Sequence, residues 1–305
     1  MKISVALCTY GGVDYIQEQL QSIIKQTVLP YEIVICDDGS TDGTIQVIED
    51  FSKTSPVPIE LFQNNVTLGV VKNFEQAIGY CSGDYIALSD QDDVWKQDKL
   101  EICVAKLREL QKGTDDPVLI HTDLVVVDED LHTIAPSLMR YQGMHHESNA
   151  EQAQKVLLFQ NFVTGCTVIF NKALKEKAIP FPEHIVMHDW WLAIIAAFIG
   201  TIGYVDQSTV YYRQHNNNCI GAKENGWKGF IHKLLAWKKI KRTVQDIITQ
   251  SMSIPTEATQ CSAWIQKYWD SMRNGDLRTI WSLGIHKQNP IKNIIFYLIL
   301  WFEYK

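Results

Sequence analysis

Short apolar runs alternate with helix-like segments over roughly the first 130 residues of the chain. The run from Ile3 to Leu7 has the length of a buried parallel strand, and Ile16, Leu20 and Ile23 then recur at helical spacing. The same alternation predicts further strands at residues 32–36, 59–62, 85–88 and 118–127. Repeated strand–helix units predict an α/β, Rossmann-like fold with a doubly wound, mostly parallel sheet and helices on both of its faces.

The alternation loosens after the predicted strand at residues 118–127. Residues 131–150 are polar and contain histidines, so we expect a loop over the functional site. An apolar helix is expected at residues 190–199. Three short strands are also expected, at residues 167–170, 204–205 and 209–212.

The amino-acid composition near the C-terminus differs from that of the rest of the chain. Residues 1–226 hold 16 lysines and arginines against 30 acidic residues, whereas residues 227–305 hold 12 against 5. Six of the nine tryptophans lie in the basic part: Trp227, Trp237, Trp264, Trp269, Trp281 and Trp301. We therefore divide the chain into a catalytic domain at residues 1–220 and a basic, Trp-rich, helical C-terminal extension at residues 221–305.

The extension has the composition of a segment that meets an anionic surface. Its last apolar run, Ile294 to Phe302, has nine residues without a charge. Spanning a bilayer takes about 20 residues, but a run of this length suits the membrane interface. We expect association with the inner face of the cytoplasmic membrane. Packing of the run on the core, or a homodimer contact, is the competing interpretation.

The cysteines and the N-terminus indicate the cellular compartment. The chain has 305 residues, of which 46% are hydrophobic and 21% charged, an ordinary globular composition. Its seven scattered cysteines include no C-x-x-C pair, which favours a reducing compartment over a disulfide framework or a structural zinc site. Residues 1–5 begin a strand directly, so we expect no signal peptide and a cytoplasmic location. No nucleic-acid partner is expected.

The most informative local feature is the acidic segment Ser89-Asp90-Gln91-Asp92-Asp93. It follows a predicted buried strand, and ligands of doubly wound sheets bind at the carboxyl ends of strands. Three carboxylates within four residues repel one another unless a cation neutralises them. An Asp-x-Asp pair at this place suits a divalent metal that also holds the phosphates of a nucleotide. The competing interpretation is a solvated acidic turn.

Two further strand ends carry side chains that suit a nucleoside. Tyr10 could stack on a base and Thr9 could bond to its edge. Asp37 and Asp38, followed by Gly39 for a tight turn, could accept from a base N–H or a ribose hydroxyl. A helix N-cap formed by Asp38 or Ser40 would also explain this segment, and both roles can coexist.

The segment His188-Asp189-Trp190-Trp191 opens the predicted apolar helix. Asp189 is a candidate general base that would take a proton from an acceptor hydroxyl. Trp190 and Trp191 would offer faces for a sugar ring, although we expect at least one of them to lie in the core. Asp189 could instead cap the helix, because a carboxylate is favoured at a helix N-terminus. Further on, His215 could complete a metal site with Asp92, and Arg213 could pair with phosphate.

Taken together, the segments resemble the inverting glycosyltransferases of family 2, which have the GT-A fold. The resemblance covers roughly residues 1–220. It rests on the motifs ALCTY at 6–10, CDDGSTDGT at 36–44, SDQDDVW at 89–95, HDWW at 188–191 and YRQH at 212–215.

The resemblance implies roles for particular residues. The nucleotide and donor would be bound by Thr9, Tyr10, Asp38, Asp90 and Arg213. A Mn²⁺ or Mg²⁺ ion would be held by Asp92 and His215. The catalytic base would be Asp189. The acceptor side would be lined by Thr164, Gly165, Cys166, Trp190 and Trp191.

Several motifs look most like those of the bacterial rhamnosyltransferases that build cell-wall and capsular polysaccharides. That likeness implies dTDP-β-L-rhamnose as donor and a lipid-linked glycan as acceptor, although related enzymes with similar motifs use UDP-hexoses. Asp90-Gln91-Asp92-Asp93-Val94 also fits the D-x-D-x-[TV] motif of haloacid-dehalogenase-type phosphatases, with Asp90 as nucleophile. Two more classes compete with these: a nucleotidyltransferase and a non-catalytic sugar-binding protein.

Overall fold

The described residues form one sheet of nine strands. A computed structural model describes residues 1–113, 115–215, 237–256 and 263–304. In chain order the strands are β1 (Ile3–Thr9), β2 (Glu32–Asp37), β3 (Ile59–Gln63), β4 (Tyr85–Asp90), β5 (Val94–Trp95), β6 (Val118–Val127), β7 (Thr133–Ala135), β8 (Ile169–Asn171) and β9 (Thr201–Arg213). Across the sheet their order is β3-β2-β1-β4-β8-β6-β9-β5, and β7 pairs with β6.

Helices cover both faces of this sheet. In the first 215 residues they are α1 (Ile16–Ile24), α2 (Thr44–Ser52), α3 (Val70–Tyr80), α4 (Lys99–Leu110), α5 (Leu138–Gln142), α6 (Ala150–Leu157), α7 (Lys172–Ala178) and α8 (His188–Ile199). Alternate residues of β1 point to opposite faces: Val5 and Leu7 pack in a cluster with α1 and α4, and Ala6 and Cys8 in a cluster with α3 and α8. The expected doubly wound α/β fold is confirmed.

The parallel strands align the predicted site residues at one edge. Strands β1, β2, β3 and β4 are parallel, and their register places Thr9 beside Asp37 and Cys8 beside Asp90. The polar residues that follow β1, β2 and β4 therefore meet at the carboxyl edge, as expected for this fold.

The second half of the sheet corrects two predictions. The strands expected at 204–205 and 209–212 are one strand, β9, which is parallel to β6. Val205 pairs with Thr122 and Ser208 with Asp123, so residues 206–207 form an irregularity where the polar Asp206-Gln207 breaks the apolar run. The expected loop at 131–150 contains β7 and α5 and the start of α6.

The extension is helical, as predicted. Its described helices are α9 (Trp237–Met252), α10 (Ala263–Asn274), α11 (Leu277–Ser282) and α12 (Pro290–Glu303). Side chains from all four helices join the hydrophobic cluster that also contains Trp190 and Phe159; they include Val244, Tyr268, Trp269, Ile280, Phe296 and Leu300. Packing on the core therefore accounts for one side of the extension.

Some sequence expectations fall outside the described residues. The domain boundary at 220/221, the side chains of Trp227 and Trp237, and Cys219 and Cys261 lie there. The remaining five cysteines, Cys8, Cys36, Cys81, Cys103 and Cys166, are buried free thiols. Among the described helices, none has both the length and the hydrophobicity needed to cross a bilayer.

Candidate active site

Asp37 organises the turn at the end of β2. Its buried carboxylate accepts from the Thr9 hydroxyl at 3.0 Å and from the backbone N–H groups of Gly39 at 3.0 Å and Ser40 at 2.7 Å. The Ser40 hydroxyl also donates to it. The Thr9 hydroxyl, which was expected to bond a nucleobase, thus connects β1 with β2.

Asp38 holds the segment that leads into α3. Its carboxylate accepts from the backbone N–H groups of Leu68 at 2.7 Å and Gly69 at 2.8 Å, and from the Asn64 amide at 2.9 Å. Gly69 has φ +83°, a conformation that favours glycine. Asp38 is buried, and its carboxylate already holds the loop together. A contact with a nucleobase would have to use its remaining lone pairs, and it stays a prediction.

Tyr10 is presented to solvent on a fixed backbone. Its side chain is 60% exposed, whereas its backbone is held by the Gln91 side chain on both sides. Tyr10 N–H donates to Gln91 Oε1 at 2.8 Å, and Gln91 Nε2 donates to the Tyr10 carbonyl at 3.1 Å. A Cβ at Gly12 would lie 2.3 Å from Gln91 Oε1, so a side chain at position 12 would displace the Gln91 amide from the Tyr10 backbone. The exposed ring is available for stacking on a base.

The two residues predicted to bind metal lie side by side. His215 Nε2 is 2.9 Å from Asp92 Oδ2, and both side chains are largely buried. The His215 ring stacks on Tyr15 with 4.7 Å between ring centroids, which fixes its orientation. The carboxylate oxygen is a ligand type that Mn²⁺ and Mg²⁺ prefer, and the imidazole nitrogen lies where a second ligand to the same ion would be.

A second group of potential ligands lies deeper in the fold. One ligand atom each from Asp90, Asp93 and Cys166 lies within 4.8 Å of the others. Burial, and secondarily the neighbouring Asp92 charge, raise the pKa of Asp90 to about 7 and that of Asp93 well above its ordinary value. Burial also raises the pKa of the Cys166 thiol, so it stays protonated and is a poor ligand for a hard cation. The donor chemistry favours Asp92 and His215.

A buried lysine lies beneath these carboxylates. The Lys99 ammonium donates to the Cys166 carbonyl at 2.5 Å and lies 3.4 Å from the centre of the Trp95 ring. Burial lowers the pKa of Lys99 to about 8, while Asp93 and Asp90 act in the opposite direction. Lys99 therefore supplies positive charge to the buried acidic group from the protein interior.

Arg213 connects the acidic segment with α1. Its Nε donates to the Asp92 carbonyl at 3.0 Å, and its terminal nitrogens bond the Glu129 carbonyl and the Glu18 carboxylate. The guanidinium thus orients the backbone that carries Asp92. A phosphate contact, expected from the sequence, would have to compete with Glu18 and stays a prediction.

Asp189 lies in the first turn of α8, buried among several hydrogen-bond donors. Its Oδ2 accepts from Gly165 N–H at 2.9 Å, its Oδ1 from Trp190 N–H at 2.6 Å, and the Asn161 side chain also bonds to it. The N-cap residue of α8 is Met187 and no side chain caps the helix, so the capping role considered for Asp189 is not observed, although its charge lies in the first turn. Burial outweighs these hydrogen bonds and raises the pKa of Asp189 to about 6, which suits a general base near neutral pH.

A short third segment connects the base with the acidic segment. The Asp189 charge is also a minor cause of the raised Asp90 pKa, after burial and Asp92. The segment Thr164-Gly165-Cys166 lies between them, since Gly165 bonds Asp189 and Cys166 belongs to the Asp90 group. The structure therefore brings the predicted metal pair, the base and the acceptor segment to one edge of the sheet.

Comparison with known proteins gives the family. A model of glycosyl transferase family 2 matches residues 4–176, more than half of the chain. The chain belongs to glycosyltransferase family 2. It is 30% identical to the dTDP-rhamnosyl transferase RfbG of Shigella flexneri over 235 residues, covering 71% of this chain and 74% of RfbG.

Solved structures show that the fold of this family 2 glycosyltransferase is GT-A. The S. aureus TarS fragment 1–349 with UDP-GlcNAc has 19% identity and a TM-score of 0.58, over 92% of this chain and 81% of that one. The mannosyltransferase PcManGT of Pyrobaculum calidifontis, with GDP-Man and Mn²⁺, has 16% identity and a TM-score of 0.57, over 99% and 86%. Some curated relatives are longer: the chain spans 66% of an uncharacterized glycosyltransferase of Nostoc sp..

Two residues of the glycosyltransferase do not have the environment expected of them. Trp190 and Trp191 are only 6% and 2% exposed, and their indole N–H groups donate to the Leu157 carbonyl at 2.7 Å and the Ala178 carbonyl at 3.0 Å. Side chains buried in this way cannot stack on an acceptor sugar. Both tryptophans therefore pack α8, as expected of at least one of them, and the acceptor-side role is corrected.

Three contributors to the site have no role assigned from the sequence. Gln91 lies inside the acidic motif, and its position beside three aspartates is the available signal. Lys99 and Asn161 have no local signal, because their partners Cys166 and Asp189 are distant in sequence. Only the packed structure identifies them.

Proposed function

We propose that this family 2 member is a metal-dependent inverting glycosyltransferase that moves L-rhamnose from dTDP-β-L-rhamnose to a growing, lipid-linked bacterial surface polysaccharide. The observation that carries the proposal is that one short segment joins the base to the acidic motif: Gly165 N–H bonds the buried Asp189, and the next residue, Cys166, lies beside Asp90 and Asp93 of the motif that also contains Asp92. The reaction needs a metal ion beside the leaving diphosphate and a base beside the attacking hydroxyl, so the two groups must lie close together.

Asp189 has the properties required of the base. Its carboxylate takes the proton of the acceptor hydroxyl while the acceptor oxygen bonds to the anomeric carbon and the bond from that carbon to the diphosphate breaks. One displacement from the face opposite the leaving group converts a β donor into an α product. A divalent metal bound by Asp92 and His215 would neutralise charge on the departing diphosphate.

The donor assignment is supported by the likeness to RfbG, whose name specifies dTDP-rhamnosyl transfer. The second candidate is a UDP-hexose donor, favoured by the structural likeness to TarS, which was solved with UDP-GlcNAc. The exposed Tyr10 ring can stack on either pyrimidine. A phosphatase with Asp90 as nucleophile is not retained, because the chain belongs to a glycosyltransferase family.

The extension supports a membrane-surface location at the inner face of the plasma membrane. One face of α12 is buried through Phe296 and Leu300, whereas Ile294, Leu298 and Phe302 on the opposite face are more than half exposed. With α11, this face forms a groove of about 600 Å³ lined by Leu277, Arg278, Trp281, Ile294, Tyr297, Leu298 and Trp301. Apolar and aromatic side chains beside the basic Arg278 suit an interface with anionic lipid.

A vesicle assay tests this location. The Ile294→Ser, Leu298→Ser double variant should co-sediment less with phosphatidylglycerol vesicles than the wild type, while Val66→Ser, at a distant exposed position, should not. Equal sedimentation of all three proteins would contradict the membrane proposal. A wild-type dimer that the double variant dissociates would identify the face as a homodimer contact instead.

A donor panel tests the activity. Thermal shift with Mn²⁺ and dTDP, UDP or GDP, followed by product analysis with dTDP-β-L-rhamnose, should give the largest shift with dTDP and an α-rhamnoside. Asp92→Asn should lose the metal-dependent part of the shift. A shift and product only with UDP-sugars would replace the donor, and binding without any transfer would contradict the enzyme assignment.

A further inference from the structure

Phe159 and Gln160, which lie between α6 and the segment Thr164-Gly165-Cys166, are held by hydrogen bonds from the C-terminal extension. The Lys287 ammonium, from the loop before α12, donates to the Phe159 carbonyl. The Gln288 N–H donates to Gln160 Oε1 at 3.1 Å, and Gln160 Nε2 donates back to Gln288 Oε1 at 3.3 Å. We call Lys287 and Gln288 the clamp.

The clamp also binds the segment between α5 and α6. Gln288 Nε2 donates to the His145 carbonyl at 2.6 Å and to Glu147 Oε1 at 3.1 Å, while Gln288 Oε1 accepts from His145 N–H at 3.1 Å. One side-chain amide therefore connects three chain segments. The Lys287 ammonium lies 4.5 Å from the centre of the Phe296 ring of α12, which ties the clamp to the buried face of that helix.

The residue after Gln160 reaches the candidate base. Asn161 Oδ1 accepts from Val163 N–H at 2.9 Å, which orients the amide so that its N–H₂ group serves Asp189. Four residues further, Gly165 N–H donates to the same carboxylate at 2.9 Å. The short stretch 159–165 thus begins on the clamp and ends on Asp189.

We propose that the extension completes the catalytic site: the clamp fixes residues 159–161 so that Asn161 and Gly165 hold the Asp189 carboxylate in position to accept a proton. Asn161 is a positioning residue, and Lys287 and Gln288 act through it. This inference rests on the proposed function, because it assigns the clamp's effect to the base of that reaction.

Three variants test the proposal in the full chain. Asn161→Ala removes the contact with Asp189, and Gln288→Ala removes the Gln288 bonds of the clamp without removing a titratable group, while the Lys287 bond to Phe159 remains. Asn289→Ala is the matched control, because Asn289 caps α12 by accepting from Lys292 N–H at 3.0 Å and belongs to the same loop.

The kinetic readout separates positioning from folding. Asn161→Ala should lower kcat roughly tenfold to a hundredfold, and Gln288→Ala roughly threefold to tenfold, with little change in the KM for the donor. Because a lost donor raises the pKa of a carboxylate, the acid limb of the kcat–pH profile should move to higher pH, by roughly one unit for Asn161→Ala. The titratable groups near Gln288 and Asp189 are His145, Glu147, Lys287, His188 and Asp90, and both variants leave them intact.

A second readout does not need activity. Backbone amides of Val163 and Gly165 should exchange with deuterium faster in Gln288→Ala than in the wild type, and unchanged in Asn289→Ala. Unchanged exchange at both amides overturns the inference. So does a kcat–pH profile of Gln288→Ala that matches that of Asn289→Ala.

The two proposals fail in different ways. If the wild type transfers no sugar, or Asp189→Asn transfers it at the wild-type rate, the proposed function is wrong and the exchange result alone decides whether the clamp orders residues 163–165. If the wild type is active and Asp189→Asn is not, a fully active Gln288→Ala with wild-type exchange contradicts the clamp alone.

Discussion

The carboxylates on the side predicted to bind the nucleotide-sugar donor, Asp37 and Asp38, are held differently from Asp189 on the side predicted to bind the acceptor. Asp37 and Asp38 accept four and three hydrogen bonds from neighbouring loops. Asp189 is also buried, but there burial outweighs the hydrogen bonds and raises its pKa to about 6. The difference is therefore one of role rather than of donor number: Asp37 and Asp38 hold loops together, whereas burial raises the affinity of Asp189 for a proton.

Removing the base should have the strongest consequence. Asp189→Asn keeps the shape of the side chain but cannot accept the acceptor proton, so kcat should fall about 10²–10⁴-fold. Thermal shift with nucleotide and Mn²⁺ should stay at the wild-type value, because the donor side is untouched. Equal rates of sugar transfer by the wild type and Asp189→Asn would show that Asp189 is not the base.

Removing a donor-side carboxylate should affect stability more than chemistry. Asp37→Ala leaves the Thr9 hydroxyl and the Gly39 and Ser40 N–H groups without their acceptor, which should lower the free energy of unfolding by about 1–3 kcal/mol. Urea denaturation measures this change. The exposed Asp50→Ala on α2 is the control and should unfold like the wild type. Wild-type stability in Asp37→Ala would contradict the organising role.

A change of pH should have a weaker consequence than either substitution. Because Asp189 must be ionised to act as base, kcat should fall about tenfold per pH unit below about 6. The contribution of Asp189 to stability has the opposite sign. Because its pKa is higher in the folded than in the unfolded state, protonation of Asp189 stabilises the fold fully below pH about 3.8, the unfolded pKa, and this stabilisation is lost as the pH rises through about 6, the folded pKa. Unfolding of wild type and Asp189→Asn between pH 4 and 7 checks the sign, and parallel curves would show that Asp189 is not the titrating group.

The two sides also differ in how far they can be predicted from the sequence. The strand–helix alternation and the polar residues after β1, β2 and β4 are visible along the chain, and the parallel register brings them to one edge as predicted. The wrong predictions lie in the second half: β9 is one strand rather than two, α5 and β7 occupy an expected loop, and Trp190 and Trp191 are buried rather than at the surface of the site.

Periodicity and short motifs suffice for the α/β class, the carboxyl-edge location of the acidic motifs, and the family 2 resemblance, because all three are local properties of the chain. Packing settles which tryptophans are buried, which face of α12 stays exposed, and that Gln288 lies beside Gln160. Contacts between segments more than 100 residues apart depend on how the helices pack on the sheet, and no local pattern encodes that arrangement.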